Sequence, residues 1–344
     1  MMSRQHSART RHTRILTSLA LTLTAATLTA CGAGTDEGTP SALDARASAN
    51  SMPQGVVTQA AAKRVVDTYE RVNNRANKAQ DEELLDTVEG GQVHEQSKAD
   101  YATLKTWPKD EQKAYRTAFF YQERTYFIPR RGEATWFAVK AKSSYGQRPT
   151  TLMIFDKVGG TYKMVMSLYT GNEASVPRLA VDRNGFAQVA DPSKPVGSLA
   201  PHDLTAAVQD LYVSGGVNEG KKLAASKPKE QAVTAHHNSV KNGAADGMAT
   251  LKFFAEAPAH PRVYALRTAD GGVLAAFPAA HKREALLKPQ YRSSHHLVPD
   301  ERETTLGASQ GPVITDEIQG QGLANLSTTS ARILELDLLH VDSR

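Results

Sequence analysis

Thr135–Lys142 (TWFAVKAK), Thr151–Asp156 (TLMIFD) and Thr161–Tyr169 (TYKMVMSLY) decide the fold. Each is a short run of aromatic and β-branched residues, and Gly159-Gly160 between the last two reads as a hairpin turn. Ala118–Ile128 (AFFYQERTYFI) adds a strand upstream, closed by Pro129 and Arg131-Gly132. Further upstream the period changes from two to helical. Ala62, Val65, Val66, Tyr69, Val72 and Ala76 fall on one helix face, and Thr58 is placed to cap it. Asp81–Val88 reads as a second, short helix stopped by Gly90-Gly91, and a third runs from about Val93 to Lys105, ahead of Pro108. Helices followed by an antiparallel meander predict an α+β domain with helices on one sheet face. Arg178–Val181 is expected to add a short strand before the turn Asp182-Arg183-Asn184-Gly185.

Downstream, the stretch 191–198 (DPSKPVGS) is the best domain boundary. Helices are then expected around Leu204–Leu211 and from about Lys229 to Lys241. Strands follow at Ala249–Ala255, Val263–Thr268, Val273–Phe277 and Arg332–Val341, with Ala269-Asp270-Gly271-Gly272 as a hairpin turn. Two helix-plus-antiparallel-sheet domains are therefore expected, residues 56–195 and 196–344. Ala134-Thr135 recurs as Ala249-Thr250 and the glycine-pair hairpins recur at a similar offset, which suggests a diverged duplication.

The N-terminus has a different character. Arg4, Arg9, Arg11 and Arg14 precede an apolar run from Ile15 to Leu28, too short to span a bilayer but of signal-peptide length. The run ends in Leu28-Thr29-Ala30-Cys31, which resembles a bacterial lipobox. The reading is a lipoprotein signal peptide over 1–30 and lipid attachment at Cys31, the chain's one cysteine. The Gly-, Ser-, Thr- and Pro-rich residues 31–55 read as a flexible tether. Diacylglycerol and palmitate would then place the chain on the extracytoplasmic face of the cell membrane. The formal charge of +5 hints at an anionic partner. Four of the 41 basic residues lie in 1–30 with no acid beside them, so the remainder carries 37 against 36. Nucleic acid loses its support there. One cysteine also excludes an intramolecular disulfide framework.

The stretches 88–91 (VEGG), 126–130 (YFIPR), 136–139 (WFAV) and 178–182 (RLAVD) resemble an uncharacterised family of actinobacterial lipoproteins. The resemblance extends over most of the mature chain and implies no activity or catalytic residue. The helix-then-sheet order of the first domain is also similar to cystatin-like and nuclear-transport-factor-like cones, which implies a pocket on the concave face and nothing about chemistry.

Fifteen of the 22 aromatic residues lie between Tyr101 and Phe186, marking either a ring-filled core or an aromatic-lined pocket. Tyr126, Arg130, Trp136 and His94 are the candidate ligand-binding residues, as an aromatic and cationic rim at the mouth of the sheet. Gly307-Ala308-Ser309-Gln310-Gly311 matches a nucleophile elbow, with Asp316 and His340 following. Pro312 and the short remaining chain leave no room for the sheet that motif needs. The second half is rich in histidine but has no metal-ligand spacing, so neither a metal nor a cofactor is expected. The favoured reading is a lipid-anchored binding or scaffolding module for a small ligand or an envelope protein. The alternative is an envelope hydrolase whose site is assembled from dispersed residues.

Overall fold

The computed structural model describes residues 54–144, 150–170 and 176–344, which belong to one compact unit spanning Met52–Arg344. Cys31 and most of the tether lie outside the described residues. Helix α1 (Gln59–Ala79) begins where the Thr58 hydroxyl accepts the Ala61 N–H at 3.2 Å. That bond satisfies one of the orphan donors at the helix start. Its Ala62, Val66, Tyr69, Val72 and Ala76 are buried, the face expected from their spacing. α2 (Glu82–Asp86), α3 (Gly91–Thr103) and α4 (Lys109–Tyr115) follow. Gly91, at φ +59, lets α3 start against β4, where an added Cβ would stand 3.0 Å from Val165.

The first sheet is the meander β1 (Tyr121–Phe127), β2 (Phe137–Ser143), β3 (Thr150–Val158) and β4 (Thr161–Thr170), in that order and antiparallel throughout. Arg178–Val181 is not a strand. Leu179 and Val181 make only isolated bridges, to Thr268 and Ala187, because this segment laces over the sheet margin rather than joining a ladder.

After α5 (Leu204–Val213) and α6 (Lys227–Asn242) comes a second antiparallel sheet. It comprises β5 (Ala249–Ala255), β6 (Tyr264–Arg267), β7 (Val273–Leu287), β8 (Val313–Leu326) and β9 (Ala331–Ser343), with the short helix α7 (Glu301–Thr305) in the connection between β7 and β8. Its order is β5-β7-β8-β9, with β6 also on β7, so its strand order differs from that of the first sheet. β7 runs ten residues beyond the expected Phe277, straight through Pro278. Between the stretches paired to β6 and β5, helix α5 caps the strand. The Thr205 hydroxyl donates to the Pro278 carbonyl at 2.6 Å and Gln209 Nε2 to the Ala280 carbonyl at 3.0 Å. Neither neighbour strand pairs with Pro278 on that side, so its missing N–H breaks no ladder bond there.

Alternation along the strands sorts the core into layers. Tyr121, Phe137, Val139, Met153 and Phe155 face α1, whereas Trp136, Ala138, Leu152, Ile154 and Leu168 face the other way. That second set packs on Tyr264, Leu266, Leu274, Ala276 and Leu323 of the second sheet, so both sheets share one apolar cluster. Val273, Ala275, Phe277 and Ala279 point away from it, onto α5 and α6. Gly322 lies under Phe277, whose ring would stand 2.3 Å from an added Cβ.

A polar seam also joins the halves. Gln92 Nε2 on α3 donates to the Gly320 carbonyl at 2.9 Å. Gln321 Nε2 donates to Gln96 Oε1 at 2.9 Å while its own Oε1 accepts the Ser167 N–H at 2.8 Å. Buried amides satisfied in this way fix the position of α3 against the second sheet.

Candidate functional site

A groove of about 990 Å³ opens where the loop after β1, the segment 187–192 and the strand β6 meet. Its volume is at the upper end of the range for ligand sites. Ala134, Trp136, Ala187, Val189, Pro192 and Val263 give it an apolar floor, and Arg130, Arg262, Arg267, Glu133, Asp182 and Asp191 give it charges of both signs. Trp136 is buried just before β2, edge-on to the Tyr264 ring with centroids 5.3 Å apart.

Two of the three arginines are tied down. Arg130 Nε donates to Asp182 Oδ2 at 2.6 Å, and its guanidinium lies 5.4 Å over the Phe186 ring. Asp182 is itself fixed by the turn that follows, accepting the Asn184 N–H at 2.7 Å and the Phe186 N–H at 3.1 Å. Burial raises its carboxyl, but the Phe186 and Asn184 N–H groups and Arg130 together outweigh that and hold it below the usual carboxylate range. Arg262 Nη1 donates to Asp156 Oδ2 at 2.6 Å and Nη2 to the Thr135 hydroxyl at 3.0 Å, with the guanidinium 5.4 Å over Tyr264. Asp156 is buried and also accepts from Tyr264, Thr135 and the Lys157 N–H. Among the described residues Arg267 is exposed and has no carboxylate partner, and Glu133 has no cationic one. Among the described residues the groove therefore keeps Arg267 and Glu133 without a partner of opposite charge, on walls where Arg130, Asp182 and Arg262 are held in place.

Of the four residues marked in the sequence, Arg130 and Trp136 meet in this groove. Tyr126 points to the α1 side of the first sheet. There it lines a second groove of about 880 Å³, together with Arg124, Ile128 and Phe186. His94 is on α3, away from both. Its Nε2 lies 3.7 Å from Asp86 Oδ1, and burial pushes its pKa down. Arg262, Asp156 and Asp182 were missed. The aromatic that orients Arg262 is two residues away in sequence, but its anion is 106 residues away.

The dispersed-hydrolase residues do not assemble. Ser309 is exposed in the loop before β8. Asp316 accepts from Arg283 at 2.8 Å and from the Ser343 hydroxyl at 2.7 Å, and no hydrogen bond joins it to His340 among the described residues. His281 is buried, stacked on Tyr212 with ring centroids 4.1 Å apart. Burial, with help from His340 and Arg283, pushes its pKa down to about 3, so it is a neutral core residue. Among the described residues no group of three or more His, Cys, Asp or Glu side chains is placed to hold a metal ion.

An uncharacterised lipoprotein of Streptomyces coelicolor is 30% identical over 261 residues, a match covering 74% of this chain and 72% of that protein. Residues 53–337 match the family described as a domain of unknown function (DUF8094), and they include the first sheet, the groove and the second sheet as far as the first half of β9. The chain belongs to that family.

Proposed function

We propose that this chain is a membrane-anchored extracytoplasmic lipoprotein whose folded body binds a peptide segment, of an envelope protein or free, in the Arg130–Trp136–Arg262 groove. The anchor reading rests on Leu28-Thr29-Ala30-Cys31 and on the name of the Streptomyces relative. Among the described residues no helix is long and apolar enough to cross a membrane. The anchor then consists of acyl chains on Cys31, and two or more of them hold a protein stably where one would not.

The groove's mixed lining carries the binding reading. A polyanion would meet Asp182, Asp191 and Glu133 as well as the arginines. A sugar platform needs an exposed aromatic face, and Trp136 is only 6% exposed. A peptide with apolar side chains and both charge signs matches apolar walls flanked by Arg267 and Glu133. The test uses Trp136 fluorescence in a Trp107→Phe background, since the chain has two tryptophans. Mixed-charge tetrapeptides should quench it saturably, and Arg267→Gln should weaken that binding about tenfold, the effect of one charge-assisted hydrogen bond. No saturable response to any peptide would remove this reading. For the anchor, Cys31→Ala should move the protein from the membrane fraction to the soluble one.

A further inference from the structure

The α1 side of the first sheet holds a second polar cluster, unrelated to the groove. Glu89, between α2 and α3, is 1% exposed and pairs through its backbone with Met164 of β4. Its Oε1 accepts from the Tyr69 hydroxyl and from Asn73 Nδ2, both at 2.9 Å, whereas Oε2 has no hydrogen-bond partner among the described residues. Tyr121, stacked on Tyr69 with ring centroids 6.5 Å apart, brings its hydroxyl near Ser167 and Tyr169 but outside hydrogen-bond geometry. Thr151 stands opposite Tyr169 on the neighbouring strand, and Ser167 is two residues along on the same face. The Tyr121, Thr151 and Ser167 hydroxyls are all buried and, like Glu89 Oε2, lack a partner among the described residues.

Folded proteins leave few buried polar atoms unpaired, and four in one cluster need an explanation in common. The chemistry narrows it. Burial pushes the Glu89 carboxyl up to about 7 and Asp100 adds to the shift, while the nearby Ser97 hydroxyl and the hydrogen bonds from Tyr69 and Asn73 oppose it. Both observed donors sit on Oε1, so in the neutral acid the proton lies on Oε2, which then donates and needs an acceptor. The groups around it are Tyr69 and Asn73 of α1, Ser97, Asp100 and Tyr101 of α3, Tyr121 of β1 and Tyr169 of β4, with Thr151 of β3 and Ser167 of β4 beside Tyr169 on the same sheet face. None of these is a cation to hold an anionic ligand, and no metal-ligating trio is formed here among the described residues. Each unpaired group can both donate and accept.

We propose that this cluster binds a neutral hydroxyl-bearing guest, held by Glu89 Oε2–H and the hydroxyls of Tyr121, Thr151 and Ser167. The hydroxyl belongs either to water, which makes about three hydrogen bonds when buried, or to a small polyol. Two arms on the full chain separate the sources. Magnetic relaxation dispersion counts long-lived internal waters, and a glycerol titration follows the Tyr121 ring resonances. Water as guest gives a long-lived water that a Thr151→Val/Ser167→Ala double variant loses. A polyol guest gives saturable shifts of the Tyr121 ring that the double variant weakens about tenfold or more. If that variant does not fold, Glu89→Gln, which keeps a donor, should retain the guest, and the similarly sized Glu89→Met should lose it. The proposal is overturned if glycerol acts linearly and the internal water count is the same in wild type, double variant and Glu89→Met.

Discussion

The first sheet carries a buried carboxyl group on each face, and their surroundings could hardly differ more. On the face toward the second sheet, Asp156 receives four donors: the Thr135 hydroxyl at 2.7 Å, the Lys157 N–H at 2.8 Å, Arg262 at 2.6 Å and the Tyr264 hydroxyl at 3.0 Å. On the face toward α1, Glu89 receives two, both on one oxygen, and no cation is among the main influences on its pKa. Depth of burial is nearly the same, 3% and 1% exposed. What separates them is partner supply. A buried carboxylate persists where opposite charge and hydrogen bonds replace water, and otherwise burial drives it toward the neutral acid. Asp156 thus acts as a joint between the halves, and Glu89 as a proton-binding group inside one of them.

The largest expected effect breaks the joint. Asp156→Ala should cost about 4 kcal/mol of unfolding free energy, because it strands the Tyr264 hydroxyl and removes the anion facing Arg262. Urea denaturation of the variant measures it, and a loss below about 1 kcal/mol would mean that Asp156 is not the joint. Next comes the pH dependence on the opposite face. The folded-state pKa of Glu89, about 7, lies above its ordinary value of 4.5. Its contribution to stability is therefore fully present below about 4.5 and lost as pH rises through about 7. Glu89→Gln should match wild type near pH 4 and exceed it by on the order of 3 kcal/mol near pH 8.5. Parallel pH profiles for the two proteins would refute the contrast between the carboxyls. The smallest effect sharpens the comparison. Arg262→Lys keeps the charge but cannot reach Asp156 and Thr135 while lying on Tyr264, and should cost about 1 kcal/mol by thermal denaturation.

Much of the fold was legible where local pattern and tertiary role agree. Helix α1 and its Thr58 cap, the four strands of the first sheet and the bounds of β5 all follow from period and turn residues. The failures have physical causes. β8 was overlooked because Gly320 and Gly322 interrupt its apolar pattern. Those glycines answer to neighbours, since an added Cβ would meet the Asp337 carbonyl at 2.0 Å and the Phe277 ring at 2.3 Å. β7 was cut short at Pro278, whose tolerance depends on a gap between β6 and β5 that no local pattern reveals. In the groove, Arg130 and Trp136 stood out as a cation beside aromatics. Arg262 did not, because its meaning comes from Asp156, on another strand of another sheet.

The sequence by itself determined the α+β class, the near-neutral body behind a basic leader, and the expectation of a lipid anchor at Cys31. These depend on composition, on periods of two and 3.6, and on one short motif, all of them local. Tertiary structure alone decided that the two sheets share an apolar cluster, that Tyr126 and Trp136 look to opposite sides, and which buried carboxyl keeps its charge partner. The shared cluster and the Asp156–Arg262 pair depend on groups that meet across more than a hundred residues, and pairing at that range is set by packing rather than by neighbours in the chain.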